Sequence, residues 1–470
     1  MAIIRPFRGV RYNLQRFQDI GALVSQPYDR IGEELKQQYD ALSPYNIVRI
    51  TLGHLEDVGL PPLSNGNGAD VYSRARDTYR QWMADEILVR EDRPVLYAYE
   101  QSFTVDQHTY ARMGLIAAVE LADFNEGIIL PHERTHSGPK ADRLRLLNAL
   151  QVNPEQIFML YPDPQNRVNA LIRQAIAGCP PDVDTVELFE HDVRQRLWIL
   201  RDAEVIAAIQ REMAPLRDLI IADGHHRYET ALTYRNAQRL AYPNAPATAA
   251  FNYIGATLVS MDDPGLVVLP THREIRRFTA VSPAEILARA GQHFSILPVR
   301  DLPACLATIN AHPKGHAFGF YGGLQVGFHV LTLRDERLID GLIDGGHSHA
   351  WKSLAVSIVH KILLEQVAGV PVQGIEDKSL IRYHRNAAQA VKDVDSGEGN
   401  FVFFLSPTRI EDIRAVAAQG ERMPQKSTDF YPKVISGLTM LPIGPDEVLE
   451  ADDAPVAAET IRRCDGLLAV

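Results

Sequence analysis

Asp223, Gly224, His225, His226 and Arg227 stand together in "LIIADGHHRYETAL" (219–232), directly after four apolar residues. The apolar run predicts a buried strand, Asp-Gly a tight turn, and Tyr228, Ala231 and Leu232 the inner side of a helix. A strand–turn–helix unit leaves the first helical amides pointing outward, where an anion can bind. Arg227 and both imidazoles then face an arriving phosphate, and Asp223 can hold a metal ion or a proton. The plainer reading of the same residues is an Asp N-cap with exposed histidines.

Two further groups carry reactive side chains. "ILPHERTHSGPKADRL" (129–144) places His132, Glu133, Arg134, Thr135, His136 and Lys140 after a strand-like "GIIL". A carboxylate just past a proline at a strand end is well placed to take a proton from a substrate hydroxyl; the alternative is a polar surface loop. "GERMPQKSTDFYPK" (420–433) offers Arg422, Lys426, Ser427, Thr428 and Lys433. Lysine beside hydroxyls can cradle phosphate oxygens, although the glycine spacing of a Walker loop is absent. His347 and His349 could ligate a metal, Asp262-Asp263 could hold magnesium, and Asp29 in "QPYDRI" could face the site. Two histidines without a third ligand are more often solvated, and Asp-Asp-Pro-Gly is also an ordinary turn.

The elements that must position these residues are mixed. Strands are expected over Ile47–Leu52, over "PVLYAYEQSFTV" and "ARMGLIAAVELAD" (an antiparallel pair joined around Gln107-His108), and at "IFMLYPD", "LWILRD" and "GNFVFFLSP". Helical spacing runs over Val71–Met83, over "KADRLRLLNAL", and over "RIEDIRAVAAQG", which Gly420 closes. A loop fills 60–70, Pro164–Glu190 reads as an insertion with its own helix, and 276–340 reads as a helix-and-hairpin module. A long helix begins in "DGGHSHAWKSLAVSIVHKILLEQVAG", with Ala355, Ile358, Ile362 and Leu363 as its apolar stripe. Strands and helices without a strict βαβ rhythm point to an α+β fold of two or three modules.

At 470 residues the chain exceeds the roughly 250–300 residues at which a single core stops growing. The net charge of −11 argues against non-specific nucleic-acid binding, which needs basic surface. Cys179, Cys305 and Cys464 are widely spaced and odd in number, so neither a zinc signature nor a disulfide framework is expected. No segment reaches the roughly 20 apolar residues of a membrane span. The expectation is a cytoplasmic protein acting on a small molecule, with no membrane or nucleic-acid partner and an open oligomeric state.

"DGHHRYETAL" after an apolar strand resembles the phosphate-binding motif of the ParB/sulfiredoxin superfamily. It is similar to that of ParB-like kinases of free serine, in which Pro-His-Glu, a helix, a short strand and Asp-Gly-His-His-Arg follow in that order. Here "LPHE" (130–133), "DRLRLLNAL", "IFMLY" and "IADGHHR" keep the order, with a long insertion between Leu160 and Asp218. Over nearly its full length the chain also resembles the bacterial and archaeal family of unknown function DUF1015, through "QPYD", "PYN", "PHERT", "DGHHRYETA" and "ERMPQKSTDFYPK". The resemblance implies a ParB/sulfiredoxin-like mixed αβ core (about 110–240) inside an N-terminal region, 1–275. A small αβ module (276–345) and a C-terminal αβ region (346–470), which contributes the 420–433 loop, complete the expected organisation.

The activity implied is phosphotransfer from pyrophosphate, ADP or ATP to a small hydroxyl compound such as serine. Glu133, Asp223 and His226 are then the catalytic residues, Glu133 as the base. Gly224, His225, His226, Arg227, Lys426 and Ser427 bind phosphate, and Asp223 holds Mg2+ to neutralise developing charge. A metal-dependent phosphatase uses the same site with water as acceptor. A non-catalytic, nucleotide-binding ParB-like protein is the other alternative, disfavoured by the acidic chain and the lack of a helix-turn-helix. Sulfiredoxin-like reduction is not expected, because His225 stands where that family carries its reactive cysteine.

Overall fold

A computed structural model describes residues 1–53, 70–133, 137–190, 192–312 and 314–449. The expectations placed on Arg134, Thr135, His136, Cys464 and the 60–69 loop lie outside them. The described chain is α+β and divides into two compact units. The first takes the described residues within Met1–Pro131, Thr135–Leu266 and Pro432–Val470; the second takes those within His132–Arg134 and Val267–Tyr431.

A nine-stranded mixed sheet organises the first unit. Its strands are β1 (Ile4–Arg5), β2 (Leu96–Val105), β3 (His108–Glu120), β4 (Ile129–Pro131), β5 (Ile157–Tyr161), β6 (Val183–Val186), β7 (Val193–Leu200), β8 (Leu219–Asp223) and β9 (Tyr253–Ser260). The order is β4-β8-β5-β9-β3-β2-β7-β6, with β1 on β3. β4 runs parallel to β8, and β5 to β9; the other pairs are antiparallel. β2 and β3 form the expected hairpin. Asp106 and Gln107 at its tip both take positive φ, 48° and 67°, the backbone of a primed two-residue turn. The insertion after Leu160 leaves the neighbouring motif strands together, since β8 sits between β4 and β5. Its own strands, β6 and β7, extend the far edge beyond β2.

Alternate residues of the central strands, such as Leu115, Ala117, Met159, Ile221 and Ala256, share one buried core. Five helices are needed to follow the first unit: α1 (Val71–Ala84), α2 (Ser137–Leu150), α3 (Arg167–Ile176), α4 (Ala203–Met213) and α5 (His225–Ala241). Val168 and Ile172 of α3, Ile206, Ile209 and Met213 of α4, and Tyr228 and Ala231 of α5 join that core. The intervening strand positions, Tyr99, Gln101 and Arg112 among them, are buried as well. The returning 432–443 segment bonds to them: Gln101 Nε2 donates to the Lys433 carbonyl (2.9 Å) and Arg112 Nη2 to that of Pro432 (2.6 Å). The strand expected at Ile47–Leu52 is instead a helical turn, Val48–Thr51. Asn46 explains the difference, for its Oδ1 accepts from the Val48 amide (3.0 Å) and its Nδ2 ties the turn to Val24 O (3.0 Å). Tertiary hydrogen bonds override the β-branched sequence.

The second unit has a six-stranded, fully antiparallel sheet. Its strands are β10 (His272–Ile275), β11 (Phe294–Val299), β12 (Ala317–Tyr321), β13 (Phe328–Leu333), β14 (Ile381–His384) and β15 (Phe401–Phe404), in the order β11-β13-β12-β15-β10-β14. The segments expected as separate modules at 276–345 and 346–470 therefore share one sheet. Helices α6 (Leu302–Asn310) and α7 (Ala387–Asp395) bury Cys305, Ile309, Ala390 and Val394 with Val402 and Phe404. A further helix, α8 (Ile410–Ala418), ends before Gly420 at φ 68°, as expected. The single long helix after 346 is not formed. It breaks at Leu354 (ψ 134°) into His349–Lys352 and Ala355–Ile358, then continues as a π-helix, Val359–Val367. Ile358, Ile362 and Leu363 are nonetheless buried. Among the described residues no helix is long and apolar enough to cross a membrane.

Candidate active site

Strand β8 ends on Asp223, and Gly224 turns the chain into α5 with φ 90° and ψ 27°. Only glycine suits this corner. A Cβ here would stand 2.3 Å from Ile157 Cγ2 and 3.1 Å from Arg227 Nε, and an L-residue is strained at that φ. The 17-residue helix begins at His225 with no acidic side chain in its first turn, and the amide end of a helix favours negative charge. The expected strand, turn and helix are all present, with Gly224 rather than Asp223 at the cap.

Asp223 is freed from capping and meets two cations. Lys433 Nζ lies 3.4 Å from Oδ1, and Arg227 Nη2 lies 3.3 Å from Oδ2. Burial pushes the Asp223 carboxyl up, but Lys433, Arg227, His225 and Arg30 together outweigh it and hold the group down at about 2. Arg227 curls beneath the turn. Its Nη1 donates to Gln156 O (2.6 Å), and its buried Nε has no hydrogen-bond partner. His226 follows on the same helical turn and is half-buried.

Asp29 belongs to this charge cluster. It sits in the 3-10 turn Tyr28–Arg30 and is exposed, yet crowding by the surrounding protein and then the Asp223 charge raise its carboxyl above the usual value, against Arg227. Glu155 fixes the turn: its Oε1 accepts from the Tyr28 amide (3.1 Å) and from Ser436 Oγ (2.7 Å). The Arg143 guanidinium lies over the Tyr28 ring at 4.4 Å. Glu155 and the Asp223 partnership of Lys433 escape sequence reasoning, because no spacing links residues so far apart. Lys140 pairs with Glu229 on α5.

In the second unit Glu133 is joined by a parallel bridge to Met423. Among the described residues its Oε1 accepts two long bonds, 3.4 Å each, from the amide and hydroxyl of Thr428. Buried His132 contacts the same hydroxyl at 2.7 Å. Lys426 is exposed at φ 56°, and its carbonyl accepts from Arg273 Nη2 (2.8 Å). Ser427 is buried, with its hydroxyl given to Pro424 O (2.5 Å). The remaining candidates have separate partners. His347 Nδ1 meets Glu421 (2.8 Å) and His349 Nδ1 meets Asp340 (3.0 Å). In the first unit Asp263 accepts from the Gly265 amide (2.7 Å) and Asn169 (2.9 Å), as in an ordinary capped turn.

Residues 4–357 match the family described as "Protein of unknown function (DUF1015)". The chain belongs to that family. No curated protein matches the sequence. Among solved structures, a conserved hypothetical protein from Pyrococcus furiosus is 12% identical, with 69% of this chain and 95% of that one covered at a TM-score of 0.31. A free serine kinase in complex with AMP is 13% identical over 69% and 92% (TM-score 0.30), and C-terminally truncated SbnI from Staphylococcus aureus is 10% identical over 70% and 87% (TM-score 0.34). Overlap at that level transfers neither fold details nor residue roles.

Proposed function

We propose that the protein is a phosphotransferase that moves a phosphoryl group from pyrophosphate, ADP or ATP to the hydroxyl of a small molecule such as serine. The observation that carries this reading is the ionised Asp223 between Lys433 and Arg227, at the amide end of α5. Phosphoryl transfer asks the protein for positioning and charge neutralisation more than for covalent chemistry. The amides of the Gly224–His226 turn and the two imidazoles hold the donor phosphate. Arg227 and Lys433 offset its charge.

The carboxylates suit magnesium, which is usually held by one or two carboxylates with substrate phosphate and water completing its shell. Asp223, at the end of β8 beside the amide end of α5, would hold the ion. Bound there, it would neutralise charge on the transferring group. Glu133 is the proposed base. Its long bonds to Thr428 leave lone pairs able to accept a hydroxyl proton. Lys426 is proposed as a further phosphate contact, on a turn held by Ser427 and Arg273.

The test is incubation of purified protein and Mg2+ with serine and a panel of hydroxyl compounds, using pyrophosphate, ADP and ATP as separate donors. Mass spectrometry should find a phosphorylated acceptor with at least one pair. Donor hydrolysis without transfer would select the phosphatase reading, and inert donors throughout would remove both.

A further inference from the structure

Away from the Asp223 cluster, the second unit gathers Glu274, His384 and Asp393. Strands β10 and β14 pair so that Glu274 faces Arg382, which puts Glu274, Arg382 and His384 on one side of the sheet. Asp393, on α7, reaches His384 Nε2 at 3.6 Å. One ligand atom from each of the three residues lies within 4.8 Å of the others. Glu274 has no exposure at all; its Oε2 contacts His384 Nε2, and its Oε1 is buried without a hydrogen-bond partner. Gly399 leaves room for that oxygen, since a Cβ there would come within 2.8 Å of it.

An unpaired buried carboxylate oxygen is costly to leave uncompensated. We propose that Glu274, His384 and Asp393 bind a divalent transition metal, zinc first among them. One imidazole nitrogen and two carboxylates match zinc, with water free to fill the fourth position of a tetrahedron. Calcium and magnesium would ask for more oxygen ligands than these residues supply. Arg382 Nη1, 2.7 Å from Asp393 Oδ2 and 4.0 Å from Glu274 Oε2, offsets part of the two carboxylate charges and is itself shared with Glu398 at 3.3 Å, so a divalent ion would neutralise the remainder. Outer partners are in place, for Gln389 Nε2 donates to Asp393 Oδ1 (2.6 Å) and Arg382 Nη1 to Oδ2 (2.7 Å). The ion would fasten edge strand β14 to α7, and it serves no step of the proposed phosphotransfer.

The full-length protein should be loaded with ZnCl2, freed of excess metal and analysed by plasma mass spectrometry and thermal melting. One zinc per chain is expected, with a melting temperature that falls on chelation. Glu274→Gln, which keeps the size and most hydrogen-bonding capacity of the side chain, should lose the metal and the chelator response. His384→Asn should do the same. The proposal is overturned if the wild type retains no zinc, or if Glu274→Gln retains as much as the wild type. The Glu274→Gln result decides the matter should His384→Asn prove misfolded by circular dichroism.

Discussion

Lys433 Nζ lies 3.4 Å from Asp223 Oδ1, although 210 residues of chain separate them. The buried Gln101–Arg112 pair sets this contact by gripping the backbone carbonyls of Pro432 and Lys433 from inside the sheet. The lysine is thus presented by rigid strands even though it comes from a loop.

Lys433→Met should lower kcat/KM by on the order of 10²–10³, as expected for removing a charge aimed at a transition state. It should also alter acid stability. Asp223 is held near 2, below its unfolded value, so it contributes roughly 2 kcal/mol that is present above about pH 4 and lost as pH falls toward 2. Denaturant titrations at pH 6 and pH 3 should show a smaller difference for the variant than for the wild type. Equal differences would mean that Lys433 does not hold Asp223 ionised. Asp29, whose carboxyl is raised, acts with the opposite sign, favouring the fold less as pH rises through its folded value; Asp29→Asn removes that contribution as a control.

Gly224→Ala should destabilise the protein by roughly 2–5 kcal/mol, combining left-handed strain with a steric clash. The added methyl would press on Ile157 and on Arg227, so phosphate-donor binding should be lost in parallel. Urea denaturation and donor titration together check this. A variant of wild-type stability would contradict the geometry of the turn.

Glu133→Gln should leave donor affinity nearly unchanged and reduce turnover by about 10²–10⁴-fold. Turnover within a few-fold of wild type would move the role of base to Asp29, an exposed carboxylate.

Lys426→Ala should weaken donor binding by roughly 1–3 kcal/mol, the worth of a charged hydrogen bond. Its melting temperature should barely move, since the side chain is exposed. A lowered melting point with unchanged donor affinity would make the loop structural only.

Arg112→Leu should cost about 3–5 kcal/mol, because breaking a buried charged network strands its partners. Gln101 and the Pro432 carbonyl would lose their donor, and the stack of the guanidinium on Phe158 at 4.6 Å would go as well. Burial already pushes this arginine down to about 10. Thermal unfolding measures the effect.

The local part of the site is legible in the sequence. Four apolar residues, Asp-Gly and the Tyr228/Ala231 spacing fix a strand, a turn and a helix within 14 residues, and short-range sterics decide all three. The non-local part is not legible. Nothing near Lys433 marks it as the partner of Asp223, because the contact depends on polar side chains buried inside β2 and β3. Ile47–Leu52 reads as a strand by residue type, yet the side-chain amide of Asn46 makes it helical. The long helix after 346 has the right apolar spacing but breaks at Leu354, where the backbone turns extended. Domain division fails for a related reason: pairing of β10 with β14 and β12 with β15 unites segments that composition separates.

The first unit is discontinuous in sequence, with 267–431 lying between its parts. During synthesis the ribosome delivers Asp223 and its helix long before Lys433, so the nascent sheet must wait, its polar inner strands uncovered, while the entire intervening unit emerges. The carboxylate meets its lysine only after that intervening unit has been made. A chain stalled between Ala241 and Lys433 would carry the strand, turn and helix that first suggest phosphate chemistry and still lack the lysine that does most to keep Asp223 charged.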